Sequence, residues 1–363
     1  MSNRTLYLEF GDGFRILFIL SYGVIILVRE LSAIVIVGGF FGDEGKGKII
    51  SYLALHDRPS IVVRGGVGPN AGHTVMMEGK EFKLRQLPSG FVYEKARLLI
   101  GPGVLINPKV LLDEIEKTKI NPKRLGVDYQ CGIIEDTHIE RDSKPDLKGR
   151  LGTTGSGCGP ANADRALRIL KLARDIEELK PFLTDVPGEL HDAIDKGELV
   201  IIEGTQGTFL SLFHGTYPYV TSKDVTASAI CSDVGIGPKH VRDVLVVFKA
   251  YVTRVGAGPL PNELSEEEAE RRGWLEIATV TRRKRRAAPF NFDLARRAVK
   301  LNSATMIAIT KLDKVFPEVE GVRDFDKLSD GAKEFIWEIE KKVGVPVKII
   351  STGPDILDTI DLR

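Results

Sequence analysis

The chain has 363 residues, 43% apolar and 28% charged, which excludes a disulfide miniprotein, a collagen-like fibre and a mainly disordered chain. Lysine and arginine number 51 against 50 aspartates and glutamates, a formal net charge of +1, too even for a nucleic-acid coat or a polybasic membrane binder. The 37 glycines exceed the usual share of about 7% and point to tight turns and to backbone that approaches ligands closely.

Residues 1–30 do not read as part of the fold. The apolar run from Ile16 to Val28 is shorter than the ~20 residues a membrane helix needs. Glu9 and Asp12 spoil the basic segment of a signal peptide, and no small-x-small cleavage site follows. The expectation is an extension translated from upstream of a true start near Leu31. Residues 31–363 carry no repeat and no linker and read as one domain. Cys131, Cys158 and Cys231 are odd in number and widely spaced, so reduced thiols in a cytoplasmic protein are expected rather than a zinc site or disulfides.

In chain order, strands are predicted at 33–37, 61–64, 97–100, 199–202, 244–248, 304–309 and 347–350. Several are apolar throughout, as strands buried on both faces are. Helices are predicted at 108–118, where Asn107 can cap and Pro108 suits the first turn, and at 163–179, 185–196, 265–272, 293–301 and 331–343. Strands interleaved with helices give an α/β fold: a large, mainly parallel twisted sheet flanked by helices, with ligands beyond the carboxyl ends of the strands.

The first such end runs Gly38-Gly39-Phe40-Phe41-Gly42-Asp43-Glu44-Gly45-Lys46-Gly47-Lys48. A strand, a glycine-rich turn and a lysine opening a helix make a phosphate cradle. It is not a Walker A motif: Gly39 to Gly45 is one residue too long, and Gly47 replaces the Ser/Thr that would hold Mg2+. A carboxylate beside phosphate repels it unless a cation or proton intervenes, so Asp43 should ligate Mg2+, act as a base, or both. After strand 61–64 comes Asn70-Ala71-Gly72-His73-Thr74. His73 has the chemistry for proton donation near neutrality, although a lone histidine is as readily structural. After strand 304–309, Lys311 and Asp313 taken alone read as an exposed charged turn; beside the first loop, Lys311 can cover a purine ring and Asp313 can accept two parallel hydrogen bonds from guanine, and Ser351, Thr352 and Gly353 should close that pocket.

Together, GDEGKGK at 42–48 and NAGHT at 70–74 resemble the adenylosuccinate synthetases. The likeness continues through GTTG at 152–155, EGTQGT at 203–208, HGTYPYVTS at 214–222, RVGAGP at 254–259, TKLD at 310–313 and STGP at 351–354. The resemblance implies a P-loop-NTPase-like fold and a GTP-dependent ligation of IMP and L-aspartate, by way of 6-phosphoryl-IMP, as the first committed step of AMP synthesis from IMP. Asp43, His73 and Gln206 would be catalytic, and Asp43 and the carbonyl of Gly72 would hold Mg2+. GTP would meet Gly42, Asp43, Glu44, Gly45, Lys46, Gly47, Lys48, Gly72, His73, Thr74, Arg285, Lys311, Leu312, Asp313, Ser351, Thr352 and Gly353. IMP would meet Asp43, Lys46, Asn70, Ala71, Gly72, His73, Thr154, Gln206, Thr221 and Arg283, with Arg168 reaching over from the partner of a homodimer. L-aspartate would lie on Thr279, Val280, Thr281, Arg283 and Arg285.

The basic run 282–286 thus reads as a carboxylate grip rather than a nucleic-acid patch. Ser265 and Glu268 form a capping box on a solvated helix. A GTPase switch would explain the first loop, Lys311 and Asp313, but not His73, Gln206 and the 214–222 segment. The chain departs from the family pattern at Phe40-Phe41, usually Gln-Trp, at Ser156, usually arginine, and near Val280, where a glycine is absent. It is also a compact version, with gaps after residue 175 and between Asp313 and Ser351.

Overall fold

The computed structural model describes residues 5–10, 14–21, 24–25, 32–277 and 283–363. Ten strands form the central sheet: β1 (Ala33–Gly38), β2 (Ile61–Arg64), β3 (Arg97–Ile100), β4 (Leu125–Asp128), β5 (Leu183–Thr184), β6 (Val200–Glu203), β7 (Val241–Lys249), β8 (Met306–Thr310), β9 (Val347–Ser351) and β10 (Thr359–Asp361). Their spatial order is β5-β4-β3-β2-β6-β1-β7-β8-β9-β10. Neighbours are parallel except for the β9–β10 pair at one edge.

The unbroken apolar run of β1 follows from burial on both faces. Ala33, Val35 and Val37 point into one core with α3 (Val186–Asp195), α4 (Ala227–Val234), α5 (Phe292–Asn302) and α6 (Asp330–Val343). Ile34 and Ile36 point into the other core with α1 (Lys46–Asp57) and α2 (Pro108–Thr118). Each fully buried Val or Ile contributes roughly 1.5–3 kcal/mol, so the four in succession from Ile34 to Val37 fix β1 at the centre of the sheet.

Helix α2 begins where the sequence places it. The Asn107 side chain accepts from the Val110 backbone N–H, and Lys119 ends the helix in the left-handed region. The predicted helix at 163–179 is different. Helix runs only over Cys158–Ala166, Arg168 adopts φ +64°, and Lys171 O and Leu172 then pair with Ile133 and Gly132. Two short 3-10 turns, Ala173–Asp175 and Glu177–Phe182, complete the segment. Pairing with a neighbouring strand outcompetes the helical pattern there.

At the N-terminus, Thr5–Phe10, Phe14–Ser21 and Val24–Ile25 pair antiparallel in a small sheet of their own. The three cysteines are buried free thiols. No helix among the described residues is long and apolar enough to cross a membrane.

Strands β1, β2 and β6 lie in level register, with Glu203 opposite both Ile36 and Arg64. Their carboxyl ends therefore open onto one crevice, flanked by the ends of β8 and β9.

Candidate active site

That crevice is a cavity of about 1070 Å³. It brings together Gly42, Asp43, Gly45, Lys46, Gly47, Lys48, Asn70, Ala71, Gly72, His73, Thr74, Thr154, Gln206, Thr221, Arg285, Lys311, Asp313, Ser351 and Gly353. Glu44, Arg283, Leu312 and Thr352 do not line it. Leu312 is core, and the Thr352 hydroxyl donates to Val322 O at 2.6 Å. Arg168 is exposed outside the cavity. Thr279, Val280 and Thr281 lie outside the described residues.

The first loop turns through Gly42 (φ +88°), Asp43 (φ +60°) and Gly45 (φ +84°). Non-glycine residues rarely take such angles, and Asp43 does so at the cavity wall. Glu44 stiffens the turn: its Oε1 accepts from Phe40 N at 3.0 Å and Gly42 N at 2.8 Å. Its Oε2 accepts from Lys46 Nζ at 2.9 Å, and the same ammonium reaches Gln206 O. Helix α1 then starts with no side-chain cap, leaving its first N–H groups to meet an anion. Gly47 has a packing reason: a Cβ there would fall 3.0 Å from His73 Cβ. Lys48 ties the last loop to the first, donating to Ser351 Oγ (2.6 Å), Gly353 O (2.6 Å) and Asp358 O (2.8 Å). Burial lowers its pKa to about 8, against the opposing pull of Asp358, Asp313 and Asp355.

His73 is backed by charge. Its Nδ1 lies 2.5 Å from Glu203 Oε1 and 2.9 Å from Ser89 Oγ, and Glu203 also pairs with Arg64 at 3.0 Å. Glu203 and Arg64 are completely buried. The carboxylate assigns the proton to Nδ1, which turns the Nε2 lone pair outward. Nε2 is buried without a protein partner in a residue that lines the cavity. Burial, reinforced by Arg64, holds the imidazole below its ordinary pKa despite Glu203. The free site thus presents a neutral acceptor, which an arriving phosphate anion would favour protonating.

The residues expected around IMP form a chain. Gln206 Nε2 donates to Asn70 Oδ1 at 3.0 Å, and Asn70 Nδ2 to Thr221 Oγ1 at 3.2 Å. Arg283 binds the carbonyls of Gly152 (2.9 Å) and Thr153 (2.7 Å), so it holds the loop that carries Thr154. Asp313 is buried beside Lys314 at 3.0 Å.

The departures from the family pattern have local explanations. Phe40 packs between Phe248 and Phe290, at centroid distances of 4.8 and 5.3 Å. Phe41 lies under the Arg254 guanidinium at 4.5 Å. Ser156 has Thr154 Oγ1 at 2.8 Å and the Arg85 guanidinium at 3.4 Å, so a cation from another segment stands beside it.

Sequence reasoning assigned no role to Arg64, Glu203, Lys249 or Glu276. Arg64 and Glu203 each end an otherwise apolar strand and Lys249 ends the apolar run 244–248, a pattern that was available as a signal. Glu276 carried none.

His73 has a testable consequence. Because its folded pKa is lowered, below about 6.5 the unfolded chain takes up a proton that the folded protein refuses. The stability contribution is present above that pH and is lost as pH falls toward the folded value. The unfolding free energy from urea titrations should drop between pH 7.5 and 5.5 by more in the native protein than in His73→Asn, the difference reaching at most about 1.4 kcal/mol per pH unit. Equal pH slopes in the two proteins would remove the assignment of a neutral imidazole.

Comparison with known proteins agrees with this geometry. A sequence model described as adenylosuccinate synthetase matches residues 35–176 and 169–319. The adenylosuccinate synthetase of Methanocaldococcus jannaschii is 61% identical over 336 residues, 92% of this chain and 97% of that protein. That of Thermococcus sibiricus is 59% identical over 332 residues, 91% of this chain and 98% of the relative. The solved structure of fully ligated adenylosuccinate synthetase from Plasmodium falciparum superposes with a TM-score of 0.84 at 27% identity, covering 92% of this chain and all of that one. A cavity built from the family's motifs, a matching sequence model and close relatives along nearly their full length establish that this chain belongs to the adenylosuccinate synthetase family.

Proposed function

We infer that the cavity joins IMP to L-aspartate with conversion of GTP to GDP and phosphate, the reaction of the family, and that the residues above carry it as follows. The observation that carries this reading is the convergence of Asp43, His73, Gln206, Lys311 and Asp313 on one cavity.

Asp43 takes the N1 proton of IMP, and the electrons released drive O6 onto the γ-phosphorus of GTP. The aspartate amine then attacks C6 and phosphate leaves; a phosphate is a far better leaving group than a carbonyl oxygen. Phosphoryl transfer calls mainly for positioning and charge neutralisation. The α1 N-terminus and Lys46 supply these on one side, and His73 on the other, once its Nε2 is protonated by contact with phosphate. Asn70, Gln206, Thr154 and Thr221 orient IMP. Asp313 reads guanine and Lys311 covers it, while Lys48 and Ser351 close the pocket. Arg283 and Arg285 receive the carboxylates of L-aspartate.

The donor set suits Mg2+. Asp43 and the Gly72 carbonyl are hard oxygens beside a phosphate cradle, and Mg2+ typically takes one or two carboxylates, leaving its other positions to water and phosphate. When bound it would neutralise charge on the phosphates. Among the described residues no three His, Cys, Asp or Glu side chains gather into a protein-only cage, which agrees with a metal shared with substrate.

Exposed Leu167 and Ile169, at 65% and 69%, flank Arg168. That apolar pair supports a homodimer in which Arg168 reaches the other subunit's IMP. The buried free thiols fit a reducing, cytoplasmic setting. The family match begins at residue 35, which supports reading residues 1–30 as an extension outside a single domain at 31–363.

Phosphate release from GTP with Mg2+ should require IMP and L-aspartate together; release with neither would point to a GTPase and remove the IMP and aspartate assignments. Asp43→Ala should abolish turnover, by at least about a thousandfold, with an unchanged circular dichroism spectrum. Normal turnover in that variant would contradict the role as base. Asp313→Asn should cut the preference for GTP over ITP and ATP by about tenfold or more, read as ratios of kcat/KM, and an unchanged ratio would count against the guanine contact.

A further inference from the structure

Glu276 belongs to no motif, yet two cations of the cavity, Lys311 and Arg285, and the buried Lys249 converge on it. It follows the short helix Glu266–Arg271 and sits at the base of the basic loop. Its backbone carbonyl accepts from Arg285 N at 2.8 Å, and the next residue, Ile277, bridges to Lys284.

On its inner side the carboxylate is anchored. Lys249, at the end of β7 and 1% exposed, places Nζ 3.1 Å from both carboxylate oxygens and donates to Thr253 Oγ1 at 2.7 Å. The Tyr251 hydroxyl donates to Oε1, and its ring stacks on Trp274 at 4.7 Å and 11°. On the cavity side, Lys311 Nζ donates to Oε1 at 2.6 Å and Arg285 Nη1 donates to Oε2. Arg285 continues to Asp43, with Nε 3.0 Å from Oδ2.

Burial opposes ionisation of this carboxyl, but Lys249, Lys311 and Arg285 outweigh it and hold its pKa far below the usual range. One buried lysine would already neutralise one buried carboxylate. The further pairing with two cavity cations calls for another reason. Without the carboxylate, three cations within contact distance of one point would repel one another. Lys311, whose side chain is 38% exposed, and Arg285 would lose their common direction. With it, both are held on one centre while a surplus of positive charge faces the cavity.

We propose that Glu276 is a positioning residue that ties Lys311 on the guanine side to Arg285 on the amino-acid side, so that the GTP and L-aspartate pockets are assembled as one unit. This rests on the reading of Lys311 and Arg285 given above. The anchor is rigid because Lys249 and Tyr251 grow from the end of β7 and the strand after it, and the two long side chains are gathered onto that fixed point.

The test is steady-state kinetics on Glu276→Gln, which keeps size and removes charge. KM for GTP and KM for L-aspartate should both rise by about tenfold or more, while KM for IMP moves by less than about twofold. A purely structural role would lower the melting temperature or kcat and leave the three KM values in proportion, and that result would overturn the proposal. Lys311→Met, at a partly exposed position, gives an independent reading that survives any misfolding of Glu276→Gln. It should raise KM for L-aspartate as well as for GTP, and its effect on the aspartate KM should largely vanish in the Glu276→Gln background. An aspartate KM unmoved by Lys311→Met would sink the coupling. The native protein separates the two levels of inference: failure to ligate would remove the functional reading, whereas normal ligation with unmoved KM values in the variants would remove only the role of Glu276.

Discussion

The site depends on a buried ion pair at the level ends of two parallel strands. Arg64 closes β2 and Glu203 closes β6; they are register partners and both are wholly buried. Taking two charges out of water costs several kcal/mol each, and their mutual contact is supported by further hydrogen bonds on both groups, with Arg64 Nε alone left without a partner. Glu203 accepts from the Ser89 backbone and hydroxyl and faces His73 Nδ1. Arg64 donates to Arg85 O at 2.7 Å. Losing either partner would strand the other at a cost of about 3–5 kcal/mol. The same pair sets which nitrogen of His73 carries the proton, so a feature that holds strands together also fixes the polarity of the group facing the cavity.

A related device recurs around the crevice. The protein must keep several cations ready for a triphosphate and a dicarboxylate, and unpaired cations in a half-buried site are costly. Each is held by a specific acceptor: Lys46 by Glu44 and the Gln206 carbonyl, Lys48 by Ser351 and two carbonyls, Lys311 and Arg285 by Glu276. These acceptors come from four different segments, and the cations they hold join loops that leave different strands. Preparation for anions and mechanical cohesion of the loops are therefore the same set of contacts.

Much of the fold was legible because the strands are apolar on both faces. Ile61–Arg64, Arg97–Ile100 and Pro108–Thr118 fall where composition and capping place them. Leu125–Asp128 was missed because a glycine interrupts its short apolar run, and Leu183–Thr184 because two residues carry no pattern. The helix expected over 163–179 failed at Arg168, where pairing of Lys171 and Leu172 with the 132–133 strand draws the chain out of the helix. Of the expected contact residues, Glu44, Arg283, Leu312 and Thr352 lie inside the matching stretches but do not line the cavity. A motif identifies a stretch of backbone and says less about each side chain within it.

By itself the sequence determined the glycine-rich turn before α1, the family and the alternation of strand and helix, because these rest on local features: glycines at turns, caps, and apolar runs of a given period. The tertiary structure alone decided which groups would back them. Glu203 meets Arg64 across 139 residues, and Lys48 reaches a loop more than 300 residues away. Glu276 becomes the centre of a charge cluster only when β7, β8 and the basic loop meet in space. Such pairings depend on sheet order and strand register, and no local spacing encodes them.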